Sequence, residues 1–161
     1  MKGYFDAGDY MKFTFPMAFS MTMLSWGLIQ YWETYEAIGE LNYAVETVKW
    51  GADWLLKANP RKDVLFACVG DPKKDHQYWG RAENFTDWRP TSKVTTSSPG
   101  SDLAAEVSAA MSAASLVLRK YGDESTYPAI LAARAELLLN FANQNRRMYH
   151  ESAPVVAKHY R

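Results

Sequence analysis

Four stretches of the chain carry apolar residues at the three- and four-residue spacing of an amphipathic helix, and this periodicity limits the possible folds more than any other feature. The helices that it predicts span residues 17–35, 40–57, 102–121 and 127–145. Pro16 suits the first turn of the first helix and Asn59-Pro60 ends the second, because proline tolerates a helix start but blocks its continuation. No run of comparable length alternates as a half-buried strand does. The sequence therefore predicts an all-α fold.

The spacing of the predicted helices divides them into two pairs. Only residues 36–39 and 122–126 separate the members of each pair, and connections this short favour antiparallel hairpins. Residues 59–100 form one long connection between the pairs. A connection of this length inside a domain is usually functional or disordered, and its many aromatic residues argue against disorder. We expect a binding loop that lies across one end of the two hairpins.

The charge balance narrows the classes of partner. The 18 basic residues equal the 18 acidic ones, so no basic surface is predicted, and neither nucleic acid nor a membrane is expected as a partner. No apolar run approaches the length of a membrane span. Cys68 is the only cysteine, which excludes an internal disulfide and a cysteine-based zinc site. Aromatic residues make up 14% of the chain, and such residues suit ligand grooves as well as cores.

The segment YFDAGDYMKF, residues 4–13, places two carboxylates, Asp6 and Asp9, among apolar neighbours. The pair could be a solvated turn that caps the next helix, or it could bind a cation, although two carboxylates make a poor calcium site. It could also hold and deprotonate a water molecule, with one carboxylate as base and the other as guide. Glycine permits a tight turn here. Four aromatic residues form an apolar rim around the pair: Tyr4, Phe5, Tyr10 and Phe13.

The segment DHQYWGR, residues 75–81, combines His76 with Trp79. An indole face can cover the C–H face of a sugar ring while imidazole or guanidinium groups bind its hydroxyls, so the segment could contact a carbohydrate. The alternatives are a buried, hydrogen-bonded histidine and a tryptophan that packs in the core. Arg81 and Arg89 could equally be surface charges, or they could pair with Glu83 and Asp87.

The segment TSSPGSDLAAEVSAAMSAAS, residues 96–115, is rich in small residues. Small side chains favour close packing between helices. Ser101 follows a Pro-Gly turn and is the expected N-cap of the third helix.

Together these segments resemble glycoside hydrolase family nine, the inverting cellulases. GYFDAGDYMKFTFPMAFSMTMLSWGL is similar to the N-terminal catalytic signature of that family, and the other two segments resemble two further signatures in the same order. The resemblance implies an (α/α)6 barrel whose loops form an open cleft for a glucan chain. It also implies a secreted endo-β-1,4-glucanase, an enzyme that hydrolyses β-1,4-glucosidic bonds in cellulose or related glucans.

Residue by residue, the resemblance implies that Asp9 is the general base and that Asp6 helps to hold the attacking water. Four residues are expected to bind the glucan substrate: His76, Trp79, Tyr4 and Arg81. No metal or other cofactor is expected in this segment, because the frequent calcium site of the family lies downstream. Ala82 departs from the family pattern, in which a proline commonly follows this arginine.

The same resemblance implies that the chain is part of a longer domain. The family barrel has twelve helices, of which four are predicted here, and its general acid is a glutamate beyond residue 161. We therefore expect residues 1–161 to be roughly a third of a single catalytic domain. Alone, this part should be inactive and should self-associate through apolar stripes such as Leu24/Leu28 and Val107/Met111. A glucan-binding protein without turnover and a helical interaction module are the alternatives.

Overall fold

The computed structural model describes residues 2–160, and it confirms that the chain is mostly helical. The helices are, in chain order, α1 (Thr14–Gln30), α2 (Trp32–Ala37), α3 (Leu41–Ala58), α4 (Pro72–Asp75), α5 (Ser101–Tyr121), α6 (Tyr127–Gln144) and α7 (Tyr149–Ser152). The strands are β1 (Lys12–Phe13), β2 (Val64–Val69) and β3 (Thr91–Thr95). Helices α1, α3, α5 and α6 correspond to the four predicted helices, so their existence and order are confirmed.

Two details of the helix prediction are wrong. The first helix begins at Thr14 and is interrupted at Tyr31, whose backbone (φ −112°, ψ 30°) leaves the helical region and separates α1 from α2. Gly39, with a φ of +76°, then turns the chain toward α3, since glycine adopts this φ without a steric penalty. Ser101 is not an N-cap but the first residue of α5, and its hydroxyl donates to Arg147 O at 3.0 Å.

Helices α5 and α6 form the predicted antiparallel hairpin. Ser108 donates to Ala135 O at 2.6 Å, and Ser115 donates to Pro128 O at 2.7 Å. Residue numbers fall along one helix as they rise along the other, which fixes the antiparallel direction. Both serine side chains are buried, and these bonds satisfy hydroxyls that would otherwise be costly to bury. The interpretation of the small residues in α5 as a close-packing surface is thus confirmed.

Helix α5 also packs against α1 on its other side. The Thr22 hydroxyl lies 3.3 Å from the Glu106 carboxylate, and Lys120 Nζ lies 3.4 Å from Ile29 O. Residue numbers rise together in these two contacts, so α1 and α5 run parallel. Helix α3 contacts both α1 and α5. The core therefore lies around α5, between α1, α3 and α6.

The central position of α5 changes part of the predicted location of the uncovered apolar surface. Val107 and Met111 are fully buried, and Leu28 of α1 is buried as well. Leu24, the fourth residue of the predicted stripes, is 46% exposed, and other exposed apolar residues of α1 include Met23 and Trp26. The expectation of an uncovered apolar stripe is therefore confirmed for Leu24 and wrong for Leu28, Val107 and Met111, which are buried in the fold.

Helix α5 is relevant to the prediction that no segment of the chain spans a membrane. It is the one helix in residues 2–160 that is long and apolar enough, by length and composition alone, to cross a bilayer. More than half of it is buried inside the fold. The core helix of a soluble domain has the same composition, and its apolar surface is accounted for by α1 and α6.

A small sheet replaces much of the predicted loop over residues 59–100. Its order is β1-β2-β3, with both pairs antiparallel, and Phe13 of β1 pairs with Cys68 of β2. The prediction of one long loop is therefore wrong where β2 and β3 lie. The run VLFACV of β2 is largely buried on both faces, so it lacks the alternation expected of a half-exposed strand. Since β1 directly follows the Asp6–Asp9 turn, the sheet joins this turn to the long connection.

Candidate active site

The two carboxylates of the first signature lie in a tight turn before β1. The Asp6 N–H donates to Met11 O at 3.0 Å. Asp9 Oδ1 accepts from the backbone N–H groups of Ala7 at 3.4 Å and Met11 at 3.3 Å. Neither carboxylate caps α1, because the N-cap residue of that helix is Phe13 and no side chain caps it. The capping interpretation is therefore wrong, and Asp9, whose side chain is 14% exposed, is held by its own turn.

His76 lies directly beside Asp9. Its Nε2 atom is 3.3 Å from Asp9 Oδ2, so one oxygen of Asp9 bonds to the turn and the other to this imidazole. The His76 side chain is 44% exposed, which excludes the alternative of a buried core histidine. The His159 ring packs edge-on against it with 5.2 Å between centroids.

Tyr160 holds the other carboxylate, and sequence reasoning missed it. Its hydroxyl lies 2.7 Å from both Oδ1 and Oδ2 of Asp6. The Tyr149 hydroxyl donates to Tyr160 O at 3.1 Å, and the Tyr160 ring packs edge-on against Phe13 at 5.1 Å. Burial, followed by the hydrogen bond to Asp6, raises the pKa of Tyr160 to about 12, so the phenol is a neutral donor at physiological pH. Nothing in the single sequence links positions this far apart.

Asp75 is a third carboxylate at the site, and it too was missed. It is only 3% exposed, and both of its oxygens lie 3.2 Å from the Tyr10 N–H. Burial raises the pKa of Asp75, partly offset by the Tyr10 hydrogen bond. Its position next to His76 in DHQYWGR was the available signal. Both default interpretations of Arg89 are wrong, because its side chain is partly buried and donates to Tyr10 O.

Three of these groups could present ligands to a metal ion. One donor atom from each of Asp9, Asp75 and His76 lies within 4.8 Å of the others. All three side chains already make hydrogen bonds. Asp9 binds the Met11 N–H and His76, and Asp75 binds the Tyr10 N–H. The proximity of the three groups is therefore explained without an ion.

Trp79 and Arg81 lie on the rim of the same site. The Trp79 side chain is 101% exposed, so the core-packing alternative is wrong. Arg81 Nη1 lies 3.5 Å from Glu83 Oε1 in an exposed ion pair, which matches its default interpretation as a surface charge. Tyr10 donates to Gly80 O at 2.7 Å and thereby fixes the backbone between the two rim residues. Both rim residues line one cavity of about 760 Å³ together with Asp6, Asp9, Asp75 and His76.

Tyr4 lies apart from this cavity. Its hydroxyl donates to Thr47 O of α3 at 3.1 Å. It lines a neighbouring cavity of about 450 Å³ that also includes Asp6 and Tyr160. The structure thus brings five of the six predicted site residues onto one cavity, with Tyr4 on the adjoining one.

The arrangement has the chemistry of a water-activating site. Two carboxylates face one open cavity, and neither is free to rotate, since His76 braces Asp9 and Tyr160 braces Asp6. A carboxylate with a fixed direction can accept a proton from water, and a second one can orient that water. An exposed indole at the rim offers a flat apolar surface to a ligand.

Comparison with known proteins agrees with this geometry. The family model for glycosyl hydrolase family 9 matches residues 1–161. Endoglucanase 5 of Oryza sativa subsp. japonica is 46% identical over 158 residues, which cover 98% of this chain and 29% of that protein. The endoglucanase of the termite Nasutitermes takasagoensis is 43% identical, with a TM-score of 0.95 over 99% of this chain and 36% of its own.

A bacterial structure extends the likeness to a ligand complex. The cellulase Cel9M of C. cellulolyticum, solved with cellobiose, is 32% identical, with a TM-score of 0.86 over 91% of this chain and 34% of its own. The chain thus spans about a third of each matched structure and 29% of the rice protein. Because the family model matches the chain from end to end and the fold agrees with two solved members, this chain belongs to glycosyl hydrolase family 9.

Proposed function

We propose that this chain supplies the water-activating half of an enzyme that hydrolyses β-1,4-glucosidic bonds in cellulose or related glucans with inversion of configuration. One observation carries the proposal: Asp6, Asp9, His76 and Trp79 share one open cavity in a chain of this family. The names of the relatives, endoglucanase and cellulase, and the cellobiose bound to one of them support the substrate class.

In this mechanism Asp9 is the general base. Its Oδ1 is engaged by the turn and its Oδ2 faces His76, so the carboxylate keeps one direction while it accepts a proton from water. Asp6 accepts the second hydrogen bond of that water and aims its oxygen at the anomeric carbon. Inversion requires this water on the face opposite the leaving oxygen, which is where two carboxylates on one wall of an open cavity can hold it.

The sugar chain lies along the exposed rim. The Trp79 indole covers the C–H face of one glucosyl unit, and His76 and Arg81 bind hydroxyls at its edge. Tyr4 contacts the sugar chain only where the sugar passes the adjoining cavity, because the Tyr4 hydroxyl is already bonded to Thr47 O. An exposed indole has no packing partner to lose when it stacks on a ligand.

We assign the general acid to a residue outside residues 1–161. The carboxylates that line the cavity are Asp6, Asp9 and Asp75, and each is engaged by hydrogen bonds on the base side of the site. Hydrolysis needs a proton for the leaving oxygen, so this chain alone should bind glucan without turning it over. We expect these steps to need no cofactor. We also propose that the whole enzyme is secreted, since its proposed cellulose substrate lies outside the cell.

A graft tests the proposed function. In the grafted enzyme, residues 1–161 replace the matching segment of the termite endoglucanase, which is 43% identical. We expect it to hydrolyse cello-oligosaccharides and to release the α-anomer first, as followed by NMR. Asp9→Asn should lower kcat about 10²–10⁴-fold with the Kd for oligosaccharide unchanged. Asp87→Asn, which changes an exposed carboxylate outside the cavity, is the control.

The outcomes separate the alternatives. A folded graft that binds cello-oligosaccharides without turnover identifies a glucan-binding protein. One that does not bind them identifies a helical interaction module. Full activity of Asp9→Asn would remove Asp9 from the role of base.

We further propose that the isolated chain self-associates. The exposed face of α1 carries Phe19, Met23 and Trp26, and apolar side chains clustered on one face favour association. Size-exclusion chromatography of the 161-residue chain should show oligomers, and Trp26→Lys together with Phe19→Lys should shift them toward monomer. A monomer at every concentration would contradict this.

A further inference from the structure

We propose that Asp75 and Arg89 form a clamp on the backbone of Tyr10 that positions Asp9, which makes Asp75 a positioning residue for the reaction. The inference rests on the proposed function, since it names what holds the base in place. Both clamp residues come from the long connection, whereas Tyr10 follows Asp9 in the turn.

The first support is the geometry around Tyr10. Its N–H lies 3.2 Å from both oxygens of Asp75, and its carbonyl accepts from Arg89 Nη2. The Tyr10 nitrogen belongs to the same planar peptide as the Asp9 carbonyl. Holding that nitrogen therefore fixes the plane from which the Asp9 side chain departs. The loop grips both polar backbone groups of the residue next to the base.

The second support is the cost of burying Asp75. It is 3% exposed, and in the part of the chain that the structure describes it makes no ion pair to offset its burial. Removing a carboxylate from water destabilises the fold unless it is well paired. Asp75 binds only one backbone N–H and lies in the segment that lines the cavity. A positioning role explains why the fold keeps a buried carboxylate there.

The third support is that the Tyr10 side chain is held as well. Its ring stacks on Phe85 with 4.9 Å between centroids, and its hydroxyl donates to Gly80 O at 2.7 Å. The Arg89 guanidinium lies over the Phe5 ring at 5.5 Å. Tyr10 is thus fixed at its nitrogen, its oxygen and its ring. A shift of the connection must therefore turn the residue that follows Asp9.

The burial of Asp75 predicts how the stability of the fold depends on pH. The titratable and charged groups around Asp75 are Asp9, His76, Arg89 and the Tyr10 phenol. Burial raises the pKa of Asp75, so its ionised form is disfavoured in the fold. The stability linked to this group is therefore present at acid pH and is lost as the pH rises through its folded pKa. Asp75→Asn should then melt at or above the wild-type temperature at pH 7, and this advantage should disappear at acid pH.

The experiment uses the grafted enzyme and its Asp75→Ala, Asp75→Asn and Arg89→Met variants. We expect kcat to fall about 10²-fold in Asp75→Ala, since a misplacement of about 1 Å can have this effect, and about tenfold in Asp75→Asn, which keeps one acceptor for the Tyr10 N–H. KM should stay within about twofold. Hydrogen exchange of the Tyr10 amide should accelerate in Asp75→Ala, with α5 unchanged. Asp87→Asn, which changes an exposed carboxylate of the same connection, should alter neither measurement.

The results that overturn the clamp are distinct from those that overturn the proposed function. An unchanged Tyr10 exchange rate in Asp75→Ala, or a loss of kcat that follows a general fall in melting temperature, refutes positioning. If the wild-type graft is inactive, the proposed function fails, while the exchange of the Tyr10 amide still decides whether the clamp exists. Retained kcat in Asp75→Ala with faster exchange would show that the clamp does not serve Asp9.

Discussion

Replacing Tyr160 with phenylalanine should uncouple Asp6 from the last described turn of the chain. The Tyr160 hydroxyl lies 2.7 Å from both Asp6 oxygens, and it has one proton, so a single charge-assisted hydrogen bond is shared between them. Such bonds contribute about 1.5–3 kcal/mol. The phenylalanine ring keeps its edge contact with Phe13, and the Tyr149 hydroxyl still holds the backbone at position 160.

The effect on catalysis should exceed the effect on stability. Asp6 is exposed, so water can replace the lost donor, and the free energy of unfolding should fall by about 1 kcal/mol or less. In the proposed mechanism Asp6 orients the attacking water, so its carboxylate must keep one direction. A solvent molecule that replaces the Tyr160 hydroxyl cannot impose that direction. If the full bond strength is lost in the transition state, kcat falls about ten- to a hundredfold. KM should remain unchanged.

Steady-state kinetics of the grafted enzyme on a soluble cello-oligosaccharide, with thermal unfolding of the same samples, tests this reasoning. Tyr121→Phe is the matched control, because its hydroxyl bonds to Asn42 Oδ1 at 3.0 Å, between α5 and α3. That variant should lose a similar amount of stability and no activity. Full activity in Tyr160→Phe, or equal losses of activity in both variants, would refute the role of Tyr160 in holding Asp6.

Three further predictions concern the rim, the packing and the alkaline limit. Trp79→Ala should raise the Kd for cello-oligosaccharides about tenfold with the far-UV spectrum unchanged, whereas Trp88→Ala, also exposed but not part of the cavity wall, should not; isothermal titration distinguishes them. Gly100→Ala should lower the free energy of unfolding by about 1–3 kcal/mol, since its Cβ would lie 2.5 Å from a side chain and 3.0 Å from the backbone of α7. Gly27→Ala, with nothing within 4 Å, should instead be neutral or stabilising, and urea unfolding would show any reversal of this order. The pKa of Tyr160 is raised from 10.0 to about 12, so the stability linked to it is complete below pH 10.0 and is lost as the pH rises through about 12; Tyr160→Phe should flatten that part of a stability–pH curve.

The sequence predicted the helices because their apolar spacing is strong and local. It failed at Tyr31, where one helical pattern runs through a break that only the structure reveals. It also missed β2, whose buried run VLFACV has no alternation, although Asp63 before it and Gly70 after it are the boundaries expected of a short buried strand.

Some residues of the candidate site were also predictable from the sequence, and others were not. Asp6, Asp9, His76 and Trp79 are recognisable because each lies in a short segment with a distinctive pattern. Tyr160 and Asp75 contact the site only because the chain folds. Tyr160 binds Asp6 from the far end of the described chain, and Asp75 binds the Tyr10 N–H although α1, α2 and α3 separate the two in sequence. Asp75 could have been suspected from its place beside His76, but a single sequence does not show that it pairs with Tyr10 or that Tyr160 pairs with Asp6.

The pairing of β1 with β2 sets the order in which this protein can acquire its parts. Helical turns and the α5–α6 hairpin depend on neighbours in sequence, and such contacts form early and fast. The pairing of Phe13 with Cys68 must wait until the whole α1–α3 segment has folded back on itself. We therefore expect a refolding chain to regain most of its helical circular dichroism before β2 pairs with the strand that follows the Asp6–Asp9 turn. Recovery of glucan binding should lag behind recovery of helix, and the lag measures how long the sheet takes to close.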